Sequence, residues 1–310
     1  MQDQNASIAA RGETPENPPE ARLTRLSPLL RRVIADNGSP FTFTGTCSYI
    51  IGQGKVAILD PGPAGKEEHI EALLDAVRGE TVSHIVVTHT HRDHSPAARA
   101  LKAATGAPIV GCGPHRPARP RPVEEADRLD AGGDREHVPD LEMEDGDTVA
   151  GPGWTLSAVA TPGHTANHLA FTLREENALL SGDHVMAWST TIIAPPDGSM
   201  ADYMASLQHL LGFEHAIYWP GHGGPVREPA RYVRGLASHR RQRERMILEA
   251  VKGGAQGIEA IVEKAYPGIA PALAGAAGLS SLAHLEWLVE QGSVVSDKDE
   301  VSFSARYRPA

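Results

Sequence analysis

Apolar positions along the chain switch repeatedly between two spacings. Short β-branched and aliphatic runs, Ser48 to Gly52, Lys55 to Asp60, His84 to His89 and Pro108 to Gly111, read as strands. Between them Lys66 to Val77 and Ser95 to Ala104 space their apolar residues as helices do. From Asp147 the pattern becomes successive strands, Trp154 to Thr161, His168 to Thr172 and Ala178 to Gly182. A helix at Met200 to Leu211 and a strand at Ile217 to Trp219 follow. This alternation predicts a layered α/β fold, two sheets packed together with helices outside. Gly113 to Gly146, heavy in Pro, Arg, Asp and Glu, is too polar for core and reads as a long surface insertion.

After Pro225 the spacing is helical, with helices expected at Arg231 to Val251, at Ile258 to Ala265 and in a segment ending Ser281 to Gln291. In the last, Leu282, Leu285, Leu288 and Val289 recur at helical spacing and Gly292 stops the run, so they read as core. Two strand-like runs, Ser293 to Ser296 and Val301 to Ala305, flank the turn-prone Asp297-Lys298-Asp299. Three helices and a terminal hairpin describe a winged helix. The expected organisation is a disordered tail over residues 1–22, a catalytic domain over 23–225 and a winged-helix domain over 226–310.

The 310 residues carry 39 acidic and 29 basic side chains, a net charge of -10 that gives the whole molecule no attraction for nucleic acid. Only Cys47 and Cys112 are present, so there is no disulfide framework, and both read as small core residues. No apolar run reaches the roughly eighteen residues that would span a membrane. Residues Met1 to Glu20 lack the basic and apolar regions of a secretory signal, and a reducing, cytoplasmic location is expected.

The densest chemistry follows the run Ile85-Val86-Val87, where His89, His91, Asp93 and His94 form a His-x-His-x-Asp-His cluster. Ser95-Pro96 reads as an N-cap and first helical residue, so the cluster sits on a strand-to-helix turn able to aim four side chains at one point. Imidazoles and a carboxylate suit zinc or a comparable divalent ion. Three partners recur on glycine turns ending later strands: His164 after Gly163, Asp183 after Gly182 and His222 after Gly221. Seven donors suffice for two ions, His89, His91 and His164 on one, Asp93, His94 and His222 on the other, with Asp183 bridging. A hydroxide held between two zinc ions is the expected nucleophile.

These motifs, preceded by Asp60 in Leu59-Asp60-Pro61-Gly62, resemble the five ordered motifs of the metallo-β-lactamase-fold hydrolases over roughly residues 23 to 225. The resemblance implies an αββα sandwich with the metals at one edge, and an Asp60 that orients ligands without binding metal itself. Thr90 stands where the flavodiiron branch carries a Glu ligand. Asp183 stands where classical zinc β-lactamases carry Cys or lack a bridging carboxylate, which points away from antibiotic hydrolysis. The chain has no room for the extra nuclease domain of the larger RNA-processing branch. What remains is similar to glyoxalase II thioesterases, which share Thr-His-x-His-x-Asp-His, and to the branch with a C-terminal winged helix that includes single-strand endoribonucleases. Ala283-His284-Leu285-Glu286 and Gly292-Ser293-Val294 resemble the second.

The expected reaction is therefore cleavage of phosphodiester bonds in single-stranded RNA, with hydrolysis of a small-molecule thioester or lactone as the alternative. A non-catalytic nucleic-acid-binding protein is the third reading. Arg231, Arg234, Arg240, Arg241, Arg243 and Arg245 form a basic strip, read either as phosphate contact or as a solvated face pairing with the acidic first domain. His184 is a candidate catalytic residue beside Asp93, as a general acid. Trp188, Ser189 and Thr190 are candidate pocket residues, while Arg116, Arg119 and Arg121 in the insertion could meet an anionic substrate. Eight other histidines, His168 and His115 among them, read as structural or surface residues. Dimerisation is left open.

Overall fold

The computed structural model describes residues 23–120 and 132–310, so the expected tail and Arg121 lie outside the described residues. The first sheet runs in chain order: β1 (Leu23–Arg25), β2 (Leu30–Ile34), β3 (Cys47–Ile51), β4 (Lys55–Leu59), β5 (Thr81–Val87), β6 (Ile109–Gly111) and β7 (Leu141–Glu142). Strands β1 to β4 pair antiparallel; β4 to β7 pair parallel, with α1 (Glu67–Ala76) and α2 (Ala97–Thr105) making the first two crossovers. The second sheet is ordered β8 (Thr148–Gly151), β9 (Trp154–Ala160), β10 (Leu169–Leu173), β11 (Ala178–Gly182), β12 (Ile217–Pro220) and β13 (Val226–Arg227). Its one parallel pair, β11 with β12, is bridged by α3 (Met200–Leu210).

Adjacent strand residues point to opposite faces, and the second sheet uses both. Leu156, Phe171 and Leu180 meet Tyr49, Ile58 and Val86 of the first sheet in one buried cluster. Leu179, Ala170 and Tyr218 pack instead beneath Tyr203 and Leu207 of α3 and Val233 and Leu236 of α4 (Pro229–Lys252). The result is the expected αββα sandwich. Cys47 and Cys112 are free and buried in its core, as read from the sequence. Strands β1 and β2 were not legible in the pattern, because arginines interrupt their apolar positions at Arg25, Arg31 and Arg32.

The tail adds α5 (Ile258–Ala265), α6 (Ala274–Glu290) and the antiparallel pair β14 (Val294–Ser296) and β15 (Tyr307–Pro309) around its own core of Ile247, Ile261, Leu282, Leu285, Val294 and Tyr307. This is the winged helix. Its second wing strand lies later than Val301 to Ala305: Val301 and Phe303 pack onto the core without strand pairing, and ladder bonding resumes at Tyr307. Helix α4 belongs to both parts. Its first half joins the second-sheet cluster and its second half, with Ile247, Ala250 and Val251, the tail core.

Candidate metal centre

Every sequence-predicted donor emerges near the carboxyl end of a strand. Asp60 follows β4, the cluster His89 to His94 follows β5, His164 follows β9, Asp183 follows β11 and His222 follows β12. Backbone bonds tie the sheets together at that edge, from Cys47 N to Gly221 O (2.8 Å) and from Leu169 N to Thr88 O (2.8 Å). Two glycines let the donors approach. Gly182 has φ +50°, and a Cβ there would lie 2.6 Å from His168 Nε2; a Cβ on Gly221 would lie 2.4 Å from Asp183 Oδ1. Ser95 does not cap α2: its hydroxyl donates to Asp134 Oδ2 at 2.8 Å, and the helix starts from Pro96 without a side-chain cap.

The donors assemble into two groups, His89, His91, His164 and Asp183 in one and Asp93, His94 and His222 in the other, with ligand atoms in each within 4.8 Å of one another. Asp183 lies between them. Its Oδ1 is 3.4 Å from His94 Nε2, and its Oδ2 is 3.3 Å from His222 Nε2 and 3.6 Å from His164 Nε2. Asp60, His89 and His94 are also close together. Asp60 is nevertheless already committed, accepting from Thr88 N (2.8 Å), Thr88 Oγ1 (2.7 Å) and His94 Nδ1 (3.0 Å).

The outer nitrogens of the imidazoles show whether the set suits a cation. His94 Nδ1 faces Asp60, His164 Nδ1 donates to Ile192 O (2.7 Å), His222 Nδ1 to Gly45 O (3.2 Å), and His89 Nδ1 meets Thr88 Oγ1 (2.9 Å). An acceptor at Nδ1 fixes the proton there and leaves Nε2 with a lone pair turned inward. Those inner nitrogens crowd: His89 Nε2 is 3.1 Å from His91 Nδ1, and His94 Nε2 is 3.3 Å from His222 Nε2. His164 Nε2 is buried without any hydrogen-bond partner among the described residues. Nitrogens that converge this closely need a proton or a cation between them, and a divalent ion suits the whole set. The donor set fits divalent metal.

Charge divides the two groups. Burial, reinforced by the neighbouring His164, lowers His91 to about 3, and His89 and His164 are lowered as well. Burial opposes protonation of His222 too, but the carboxylates of Asp183 and Asp93 outweigh it and push the group up to about 10. His94 is raised in the same way, while Asp93 and Asp183, despite burial, are held well below the usual carboxylate range by the histidines facing them.

Asp60→Asn replaces the acceptor of His94 Nδ1–H by an amide that satisfies fewer of its three donors. The expected result is a roughly 10–100-fold loss of metal affinity, read by competition with a chelator; unchanged affinity would remove Asp60 from ligand orientation.

Other expectations fare differently. His184 is fully buried, its ring tilted against Tyr203 with ring centroids 4.7 Å apart, and burial with His164 and Arg240 nearby lowers it to about 3. The ring is therefore neutral near pH 7, carries no imidazolium proton, and neither of its nitrogens has a hydrogen-bond partner among the described residues. His168, read as structural, is buried among the donors: kept neutral by burial, its Nε2 accepts Asp183 N–H at 3.1 Å while its Nδ1 bonds Thr161 Oγ1. His115 bonds Thr90 Oγ1 (2.9 Å), and the insertion packs its Gly132 against the His91 ring. The insertion is thus part of the site's wall. Only its contacts in space, absent from local spacing, reveal this.

Trp188 lies over Gly223, next to His222, and stacks on Phe43 with ring centroids 5.1 Å apart; Ser189 and Thr190 follow half-buried. Arg119 pairs with Glu286 of α6 and Arg116 bonds Ala166 O. The basic strip is not one face. Arg240 and Arg243 are buried and bonded to the carbonyls of Thr191 and Ala265, Arg231 pairs with Glu228, and Arg234, Arg241 and Arg245 remain exposed.

Residues 41–222 match the metallo-beta-lactamase superfamily and residues 258–303 the beta-lactamase associated winged helix domain. The chain is 34% identical over 235 residues to the "Beta-lactamase-like protein 2 homolog" of Caenorhabditis elegans, covering 74% of this chain and 73% of that one. It is 31% identical to the "Atrochrysone carboxyl ACP thioesterase AgnL7" of Paecilomyces divaricatus, covering 76% of this chain and 68% of the other. In fold it resembles a beta-lactamase domain protein from Burkholderia ambifaria, with a TM-score of 0.79 at 21% identity over 98% of this chain and 99% of that one. The chain belongs to the metallo-beta-lactamase superfamily of metallo-hydrolases and ends in a beta-lactamase associated winged helix domain.

Proposed function

We propose that this chain hydrolyses thioesters of small or carrier-borne acyl groups at a pair of divalent ions, most suitably zinc, held by the seven donors around Asp183. The observation that carries the reading is Asp183 itself, one carboxylate within 3.6 Å of imidazoles from both donor groups. When bound, two such ions supply Lewis acidity and lower the pKa of water toward neutrality. The chain's residues do the rest. The buried imidazoles fix the donor geometry through their outer nitrogens. Asp93, with 27% of its side chain exposed, is the donor carboxylate that reaches solvent, and its Oδ2 accepts from Thr46 Oγ1 at 3.2 Å. There it can accept a hydrogen bond from an entering water and orient it toward the substrate.

The stacked Phe43 and Trp188 offer an apolar wall beside His222 for the acyl group, and the Ser189 and Thr190 hydroxyls offer hydrogen bonds. Thioester is favoured over phosphodiester for two reasons. The relatives named as carrier-protein thioesterases support it. Cleavage of single-stranded RNA calls for a cationic track, and the tail spends Arg240 and Arg243 on backbone carbonyls instead.

The test sets acyl-CoA and S-acylglutathione panels beside single-stranded RNA, with zinc-loaded protein, a chelator control and His91→Ala. Thioester turnover lost in both controls is expected; cleavage of RNA with the thioesters left intact would reverse the assignment. Trp188→Ala is expected to raise KM for bulky apolar acyl groups roughly tenfold with little change in kcat, since an apolar wall acts mainly through binding. An unchanged KM would take Trp188 out of the pocket.

A further inference from the structure

Arg240 belongs to the tail's first helix yet ends beside the metal centre. It is 3% exposed, and its guanidinium bonds the carbonyl oxygen of Thr191 and covers the ring of Tyr203 at 5.3 Å. Burying a guanidinium is costly unless its contacts are used. Among the described residues no carboxylate pairs with it, and its charge faces one backbone group and one aromatic ring.

The backbone group it holds is a junction. Thr191 and Ile192 lie in irregular chain between β11 and α3, where no ladder or helix fixes the backbone. The Thr191 hydroxyl donates to Asp183 O at 2.7 Å and also lies 3.1 Å from His184 O. The next carbonyl, Ile192 O, accepts from His164 Nδ1 at 2.7 Å. One short stretch therefore touches two metal donors, and Arg240 grips it from outside. A second arm runs through Tyr203. Its hydroxyl donates to His184 O at 3.1 Å, and its Cα lies so near Gly163 that a Cβ there would come within 2.3 Å of it. Gly163 immediately precedes His164.

We infer that Arg240 is a positioning residue for the metal centre: through Thr191 and Ile192 it sets the orientation of His164 and Asp183, making the tail domain part of the site. The inference rests on the proposed metal role of those two residues. Arg243, one helical turn on, supplies a comparison within the molecule. It is 7% exposed, bonds Ala265 O and stacks on Tyr266 at 3.9 Å, and these contacts all lie inside the tail. Loss of either arginine loosens a buried helix. Only loss of Arg240 frees the stretch that orients ligands.

The experiment uses the full chain. Zinc affinities are measured by competition with a chromogenic chelator, and the visible spectrum of the cobalt(II)-substituted protein reports ligand geometry. Arg240→Gln is expected to weaken one of the two ions by at least about tenfold, the scale of outer hydrogen-bond partners of metal ligands, and to shift the cobalt bands. Thr191→Val should do the same, and Arg240→Lys should restore part of the affinity. Arg243→Gln should lower the thermal midpoint while keeping both affinities and the spectrum. Wild-type affinities and spectra in Arg240→Gln and Thr191→Val, or an equal loss in Arg243→Gln, would overturn the inference. If Arg240→Gln does not fold, Thr191→Val decides alone, because it removes one hydroxyl at nearly constant shape. A wild-type protein that binds no metal would instead refute the underlying reading of the site.

Discussion

Asp183→Asn is expected to lower turnover by about a thousandfold or more and to cost the protein one of the two proposed ions. The side chain keeps its shape, so packing around the site should survive. What disappears is the negative charge that His94 and His222 face at 3.4 and 3.3 Å and that His164 faces at 3.6 Å. An asparagine also turns an NH2 toward those nitrogens, and a donor there cannot serve a cation. A site reduced from two ions to one loses several kcal/mol of stabilisation for developing charge, and about 4 kcal/mol corresponds to a thousandfold in rate. Metal content by elemental analysis, read with kcat on the proposed thioester substrate, checks it. Two ions retained with turnover within tenfold of wild type would mean that Asp183 does not bridge.

The second large effect is a split in pH dependence between the two donor groups. In the metal-free protein His222 is raised to about 10 and His94 is raised too, so at pH 7 the group of Asp93, His94 and His222 holds at least one proton that an ion must displace. The group of His89, His91 and His164 is lowered, His91 to about 3, and holds none. Affinity at the first of these groups should therefore climb at least about tenfold per pH unit, roughly a hundredfold or more from pH 6 to 8, while the other stays nearly flat. Calorimetry in buffers of different ionisation enthalpy counts the released protons. Equal pH slopes for both ions would contradict the charge division. The same shift acts on the metal-free fold. Protonated His222 contributes stability in full below its ordinary value near 6.5, and that contribution fades as pH rises toward 10, so chelated protein should melt progressively earlier over that window.

The donors were legible because chemistry and backbone agree in sequence: an apolar strand, a polar turn, glycine beside each later ligand. The sandwich followed from switching between spacings of two and of three to four residues. What was hidden depends on contacts that no local pattern encodes. His168 looks like any strand histidine until Asp183 N–H is found against its Nε2. Six arginines in one segment look like a track, yet α4 buries Arg240 against the sandwich and Arg243 inside the tail. Ser95 satisfies every local rule for a cap, but Asp134, 39 residues away, takes its hydroxyl. In each case a partner distant in sequence outbids the local preference.

The polar insertion carries one last consequence. Its near stem is tied down by Ala118 N to Pro196 O (2.8 Å) and by Arg119 with Glu286, and its far stem by Asp134 N to Thr90 O and Arg92 N to Gly132 O (2.8 Å). One stem is held against Pro196 and α6 and the other against the donor turn itself, so the bonds that fix Thr90 and Arg92 come from residues outside 121–131. The anchors of the His89 to His94 turn are thus carried by the described stems, and sequence between the stems can change without removing any of those bonds.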